Sequence, residues 1–112
     1  ATVLKARRVG EGDQAPFAPV PIEEAVAAIQ TQKSNIVFAP HVETSSGILL
    51  PDDYLRKLAD EVHGVGGILV LELGYNSADE VRKMFHVQRR WANVSITNDL
   101  AGIPRVIAAE RI

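Results

Sequence analysis

The sequence predicts an α/β fold with a mainly parallel sheet of about five strands. Apolar runs of strand length alternate with segments whose apolar residues recur at helical spacing. Two of the strand runs are apolar throughout, as expected of strands covered on both faces. The last two runs have no helix between them, which indicates an antiparallel last strand. The resulting order, βαβαβαββ, is typical of a Rossmann-like sheet in two or three layers.

The first strand is predicted over residues 2–9, and Lys5, Arg7 and Arg8 place it at an edge of the sheet, where charge discourages further pairing. A loop rich in glycine and proline follows. The first helix is predicted over residues 21–32. Proline suits its first turn, two glutamates suit its positive end, and Ile22 and Val26 begin its apolar spacing.

The second strand, over residues 35–41, contains the run Ile36-Val37-Phe38-Ala39, so we expect it inside the sheet. A second helix should follow from residue 51 to a left-handed cap at Gly64. The next apolar strand covers residues 68–71. Ser77 and Glu80 have the spacing of a capping box at the start of the third helix. Residues 94–97 and 105–109 should form the terminal antiparallel pair.

Composition limits the class of protein. A chain of 112 residues is one domain, and 46% hydrophobic residues, 23% charged residues and a net charge of -2 fit a soluble globular protein. This balance gives no electrostatic reason to expect nucleic acid. There are no cysteines for disulfides. No apolar run approaches the roughly 18 residues of a membrane span, so we expect a cytoplasmic protein without a membrane partner.

One motif resembles a known enzyme family. The run His41-Val42-Glu43-Thr44-Ser45-Ser46-Gly47, like residues 1 to about 70 as a whole, resembles the large domain of class V aminotransferases, which are pyridoxal-phosphate enzymes of fold type I. The resemblance implies that Thr44 or Ser45 hydrogen-bonds the cofactor. It also puts Glu72 where the family has an aspartate that pairs with the pyridine nitrogen.

Residues from about 66 to 112 resemble the C-terminal part of the methyltransferases that modify a glutamine of peptide-chain release factors. Three segments carry this resemblance: Leu71-Glu72-Leu73-Gly74-Tyr75-Asn76, Ala78-Asp79-Glu80-Val81-Arg82, and Asn98-Asp99-Leu100-Ala101-Gly102-Ile103-Pro104-Arg105-Val106. Glu72 followed by Leu73-Gly74 matches this family better than the aminotransferases. We therefore expect a structural role for Glu72 at a strand end.

The printed sequence contains neither family's complete active site. Aldimine chemistry needs a lysine beyond the aspartate strand, and the only lysine there is Lys83, in the middle of a predicted helix. The methyltransferases' Asn-Pro-Pro-Tyr motif and glycine-rich loop after the first strand do not occur. Gly64-Val65-Gly66-Gly67 precedes a strand, so we interpret it as a turn.

The remaining polar residues predict no site. His41, His63 and His86 lack metal-type spacing. Arg89-Arg90-Trp91 could stack a base, but it is typical of a helix end whose tryptophan closes a core. We assign no catalytic residue, no metal and no cofactor.

We interpret the chain as one engineered chimeric α/β scaffold, with a junction near residue 70 and no intact catalytic function. One alternative is a residual binding module for pyridoxal phosphate, a nucleotide or a small anion, using Thr44, Ser45, Gly74 and the amides near Asn76 and Ser77. Another is a natural truncated interaction domain. Because right-handed crossovers would put the three helices on one face, the other face should be uncovered. Either a second copy buries it as a homodimer, or the first strand changes place and moves its helix across.

Overall fold

The computed structural model describes residues 2–43, 48–89 and 91–111. It contains three helices, α1 (Ile22–Gln32), α2 (Asp52–Gly64) and α3 (Ala78–Gln88). All three helices lie where the spacing of apolar residues predicts them. The strands are β1 (Arg7–Arg8), β2 (Phe17–Ala18), β3 (Ile36–Pro40), β4 (Val42–Glu43), β5 (Ile48–Leu49), β6 (Ile68–Glu72), β7 (Trp91–Asn98) and β8 (Pro104–Arg111).

The main sheet has four strands in the order β3-β6-β8-β7. β3 and β6 are parallel, whereas β8 is antiparallel to both of its neighbours, β6 and β7. The two remaining ladders, β1 with β2 and β4 with β5, are short antiparallel pairs outside this sheet. The α/β class is correct, and so is the terminal antiparallel pair. The prediction of a five-stranded, mainly parallel Rossmann-like sheet is wrong, because the sheet is mixed and has four strands.

The predicted first strand does not join the main sheet, and its two arginines have other partners. Only Arg7 and Arg8 form a strand, and it pairs with β2. The Arg7 guanidinium donates to both carboxylate oxygens of Glu24 on α1, one of them at 2.8 Å. The Arg8 guanidinium lies 4.4 Å from the ring centre of Phe17 and donates to the carbonyl of Ala15. These contacts hold the segment beside α1, away from the main sheet.

β3 was predicted inside the sheet, and this prediction is also wrong. β3 is an edge strand, with Ile36 63% and Phe38 59% exposed. The internal position goes instead to β8, which lies between β6 and β7. β8 also contains a continuous apolar run, residues 106–109, and such a run suits an internal strand.

The two faces of the sheet differ. Register places Leu69 beside Ala109 and Leu71 beside Ile107, and all four are buried. They join side chains from all three helices in one core cluster. The opposite side, which we call the bare face, is exposed or half-buried. Its apolar centre consists of Ile36, Phe38, Ile68, Val70, Val106 and Ala108. The register places four polar residues around this centre on the same face: Glu72, Ser95, Thr97 and Glu110. Among the described residues, none of these six apolar side chains belongs to the core cluster that the helices cover.

Trp91 closes the core at the start of β7. It is 7% exposed, its ring lies edge-on to Phe85 at 5.3 Å and to His63 at 5.5 Å, and its indole N–H donates to Gln88. These contacts are those of a core residue, as the sequence predicts.

The turn between β7 and β8 is organised by Asp99. Its Oδ1 accepts the backbone N–H groups of Ala101 at 2.8 Å and Ile103 at 3.0 Å, and its Oδ2 accepts the Arg105 guanidinium at 3.0 Å. The Ile103 N–H and then the Arg105 side chain hold the pKa of the Asp99 carboxyl below its usual range. Part of the methyltransferase-like motif therefore has a structural role as the hairpin turn.

Two predicted helix caps differ from the structure. The left-handed glycine after α2 is Gly66, with φ 73°, and not Gly64, which remains helical. Ser77 has φ -95° and ψ -11° and makes no side-chain cap hydrogen bond. The capping box with Glu80 is absent because an N-cap side chain reaches the helix amides from an extended backbone, which Ser77 does not have. Within the described ranges, no helix is long and apolar enough to cross a membrane.

Candidate functional site

The carboxyl ends of β3 and β6 meet at one edge of the sheet because these strands are parallel. The amino termini of α2 and α3 lie at the same edge, since both helices run back from strand ends. Open α/β sheets collect ligands at such an edge. We call the group His41, Asp52, Gly74 and Glu80 the strand-end site.

His41 is the buried polar residue of this site. It is 6% exposed, its backbone N–H donates to the Glu72 carbonyl at 2.8 Å, and its own carbonyl accepts the Leu50 N–H at 2.9 Å. The side-chain Nδ1 is buried and has no hydrogen-bond partner among the described residues. Burial lowers the pKa of His41, and the charges of Asp52 and Glu80 oppose this effect. At neutral pH the imidazole is therefore uncharged.

Of the three residues predicted to bind a cofactor, the structure describes Glu72 alone. Thr44 and Ser45 lie outside the described residues. Glu72 is exposed at the end of β6. Its side chain follows the bare face, because the neighbouring Leu71 and Leu73 are buried on the helix side and side chains alternate along a strand. His41 and Glu72 thus meet through their backbones only, and a cofactor role for the Glu72 carboxylate stays a prediction.

The loop after β6 is tightly packed. A Cβ atom on Gly74 would lie 2.7 Å from Cγ2 of Val42 and 3.2 Å from Oγ of Ser77. Asn76 takes a left-handed conformation with φ 61°. The first turn of α3 already carries Asp79 and Glu80, whose charges match the positive end of the helix. Neither open space nor uncompensated positive charge supports an anion at Gly74.

Other predicted positions hold surface or core roles. Lys83 is exposed on α3. His63 packs against Trp91, and His86 is exposed. Within the part of the chain that the structure describes, no group of acidic or histidine side chains could hold a metal ion.

Sequence reasoning missed a groove beside β3. The groove has a volume of about 720 Å³ and lies among the extended segment of residues 2–6, helices α1 and α2, residues 48–50 and the edge strand β3. Its walls are mostly apolar, and among the described residues that line it Lys5 alone is charged. The uncharged run from Ile36 to Ala39 is the sequence signal that could have indicated it, since an apolar strand without a neighbour leaves an open edge.

These observations define a small α/β unit with a packed strand-end site and an open sheet edge. No family model matches the chain. It is 36% identical over 87 residues to a release factor glutamine methyltransferase of Koribacter versatilis, and the match covers 75% of this chain and 30% of that relative. The chain therefore spans less than a third of the relative's length.

The relative supports the methyltransferase resemblance of the C-terminal part. A match over 87 residues is longer than the segment from residue 66 to residue 112, so it also includes part of the segment assigned to aminotransferases. The aminotransferase resemblance and the junction near residue 70 stay predictions.

Proposed function

We propose that this chain is a methyltransferase-related α/β scaffold without catalytic function of its own, and that it associates with a second copy through the bare face. The proposed lack of catalytic function is supported most directly by the side chains of His41 and Glu72, which lie on opposite faces of the sheet. His41 is buried and neutral on the helix side, whereas Glu72 lies on the bare face. Acid-base or covalent chemistry needs such groups within hydrogen-bond reach of one substrate position.

Construction from two enzyme families is the finer form of this proposal. The motif His41-Val42-Glu43-Thr44-Ser45-Ser46-Gly47 supports it, since that run resembles aminotransferases rather than methyltransferases. The match to the methyltransferase relative extends before residue 66, which favours one origin for a larger part of the chain.

Two binding measurements test the absence of catalytic function. Titration calorimetry with S-adenosylmethionine should show no heat of binding at micromolar protein. Addition of pyridoxal phosphate followed by borohydride should leave no stable adduct confined to one lysine, as read by mass spectrometry. Binding of S-adenosylmethionine with methyl transfer to a glutamine peptide, or one specifically reduced lysine, would contradict the proposal.

The apolar character of the bare face supports the homodimer. Val70 and Ala108 lie side by side in the middle of this face, and both are only half-buried. Phe38 extends the same patch to the edge strand. A large apolar patch is a common interaction surface, and a two-fold dimer buries the same patch on both copies.

A matched pair of substitutions tests the dimer. Val70→Lys puts a charge in the centre of the bare face, whereas Val87→Lys puts the same charge on the outer side of α3, where Val87 is 76% exposed. Light scattering after size exclusion should give a dimer for the parent chain and for Val87→Lys, and a monomer for Val70→Lys. A parent chain that stays monomeric at all concentrations up to about millimolar would contradict the proposed homodimer.

A further inference from the structure

The outer edge of β3 has unpaired backbone groups. Asn35 accepts from the Ile68 N–H and the His41 N–H donates to Glu72, each at 2.8 Å, so odd-numbered residues of this segment face β6. The even-numbered residues face away, because backbone groups alternate sides along a strand. Ile36 and Phe38 therefore each direct an N–H and a carbonyl outward, and these have no partner among the described residues.

The other edge of the sheet is protected within the strand, whereas β3 is protected only at its end, by Pro40. β7 has a register shift between Ala92 and Ser95, and Asn93 within it has φ 51°. Along β7, buried or half-buried side chains alternate with exposed polar ones. Bulges and polar side chains are the usual devices that keep a strand edge from pairing. β3 lacks such a bulge, and its exposed side chains Ile36 and Phe38 are apolar.

The groove beside this edge has the size and chemistry of a binding site. Its volume of about 720 Å³ falls within the range of roughly 300–1,000 Å³ for ligand pockets. Small residues of α1, Ala25 and Ala28, form part of its far wall. Lys5 is exposed, and no ion pair or hydrogen bond of its side chain occurs among the described residues. A ligand that matches the groove needs backbone-like donors and acceptors, an apolar body and one negative charge.

We propose that the groove binds an extended apolar peptide that pairs with the outer edge of β3 and places an acidic side chain near Lys5. A peptide strand supplies alternating carbonyl and N–H groups that can pair with the outward N–H and carbonyl groups of Ile36 and Phe38, which an apolar small molecule cannot do. Pro40 has no N–H, so pairing ends there. This site shares Ile36 and Phe38 with the bare face, but it uses the strand edge and the groove, whereas the proposed dimer contact is centred on Val70 and Ala108.

The probe is a blocked hexapeptide, acetyl-Val-Thr-Val-Glu-Val-Thr-amide, added to the full chain labelled with nitrogen-15. We expect saturable shifts of the Ile36 and Phe38 amide signals and slower hydrogen exchange at both. Binding of an unstructured peptide costs ordering entropy, so the dissociation constant should lie in the micromolar to millimolar range.

Two sets of controls follow: modified peptides test strand pairing, and substitutions of lysine test the role of the Lys5 charge. A peptide N-methylated at its second and fourth residues and one N-methylated at its third and fifth cover both edges of the added strand, and one of these should lose about tenfold or more in affinity. Lys5→Glu should weaken the glutamate peptide about two- to fivefold and strengthen a lysine version similarly. Lys57→Glu, on the exposed side of α2 and outside the groove, should change neither.

Three results would overturn the proposal. One is equal binding of the unmodified and both N-methylated peptides. Another is a set of shifts centred on Val70 and Ala108 with none at Ile36 and Phe38. The third is protection of the Ile36 and Phe38 amides that grows with protein concentration in the absence of peptide, since that would make a second copy the occupant. A failure of Val70→Lys to disrupt a dimer would leave this site unaffected.

Discussion

Replacement of His41 by leucine should stabilise the protein. The imidazole is 6% exposed and its Nδ1 has no partner among the described residues. A buried polar atom without a hydrogen bond costs about 1–3 kcal/mol. Leucine has a similar volume and no such atom, so we expect His41→Leu to raise the free energy of unfolding at pH 7 by about that amount.

The difference in free energy of unfolding between His41→Leu and the parent should grow as the pH falls. His41 has a folded pKa below its ordinary value of 6.5, so between these two values the unfolded chain binds more protons than the folded chain. The part of the parent's free energy of unfolding that depends on neutral His41 is thus fully present above about pH 6.5. It is lost as the pH falls through the folded pKa, with a limiting slope of about 1.4 kcal/mol per pH unit. His41→Leu should lack this contribution to the slope.

Urea unfolding at pH 5, 6, 7 and 8 measures both effects. His41→Gln keeps a polar side chain without a proton that titrates, so it should remove the slope and give less of the gain at pH 7. Val87→Gln, at an exposed position of α3 without a group that titrates, should keep the parent's pH dependence. The reasoning is refuted if His41→Leu lowers stability at pH 7, or if its slope between pH 5 and 7 equals that of the parent.

Four further substitutions test other contacts. The Tyr54 hydroxyl donates to the Val20 carbonyl at 2.6 Å, so Tyr54→Phe should lower the free energy of unfolding by about 0.5–1.5 kcal/mol in urea titrations. A Cβ on Gly67 would lie 2.8 Å from the Ser34 carbonyl oxygen, whereas one on Gly64 would meet nothing within 4 Å. Gly67→Ala should therefore destabilise by about 1–3 kcal/mol and Gly64→Ala should stabilise by about 0.5–1 kcal/mol, and equal effects would contradict the contact argument. Asp99→Ala should speed exchange of the Ala101 and Ile103 amides, and unchanged exchange would show that Asp99 does not hold the turn.

The helices were predictable because their signals are local. Apolar spacing in 22–32, 52–64 and 78–88 is set by residues within one or two turns. The order of strands was not predictable in the same way, because pairing joins distant segments. The run Ile36-Val37-Phe38-Ala39 fits an internal strand by composition, yet its neighbour on one side is missing and the same residues form an exposed edge.

The candidate site was predictable only in position. Parallel strands correctly brought the ends of β3 and β6 together. The direction of each side chain depends on pleat and register, and these put His41 and Glu72 on opposite faces. The pKa of His41 is lowered because the folded chain buries the imidazole, and a sequence motif does not indicate such burial.

The open edge and the bare face share Ile36 and Phe38, but they require different partners. An added strand would satisfy the outward backbone groups of β3 without reaching Val70 and Ala108, which lie one and two strands further in. A second sheet packed on the bare face would cover those two residues and leave the backbone groups of β3 unpaired, because face-to-face packing lies perpendicular to strand pairing. Burial of both the outer edge of β3 and the bare face therefore needs an added strand and a packed second sheet. Removal of one of these contacts should leave the other measurable.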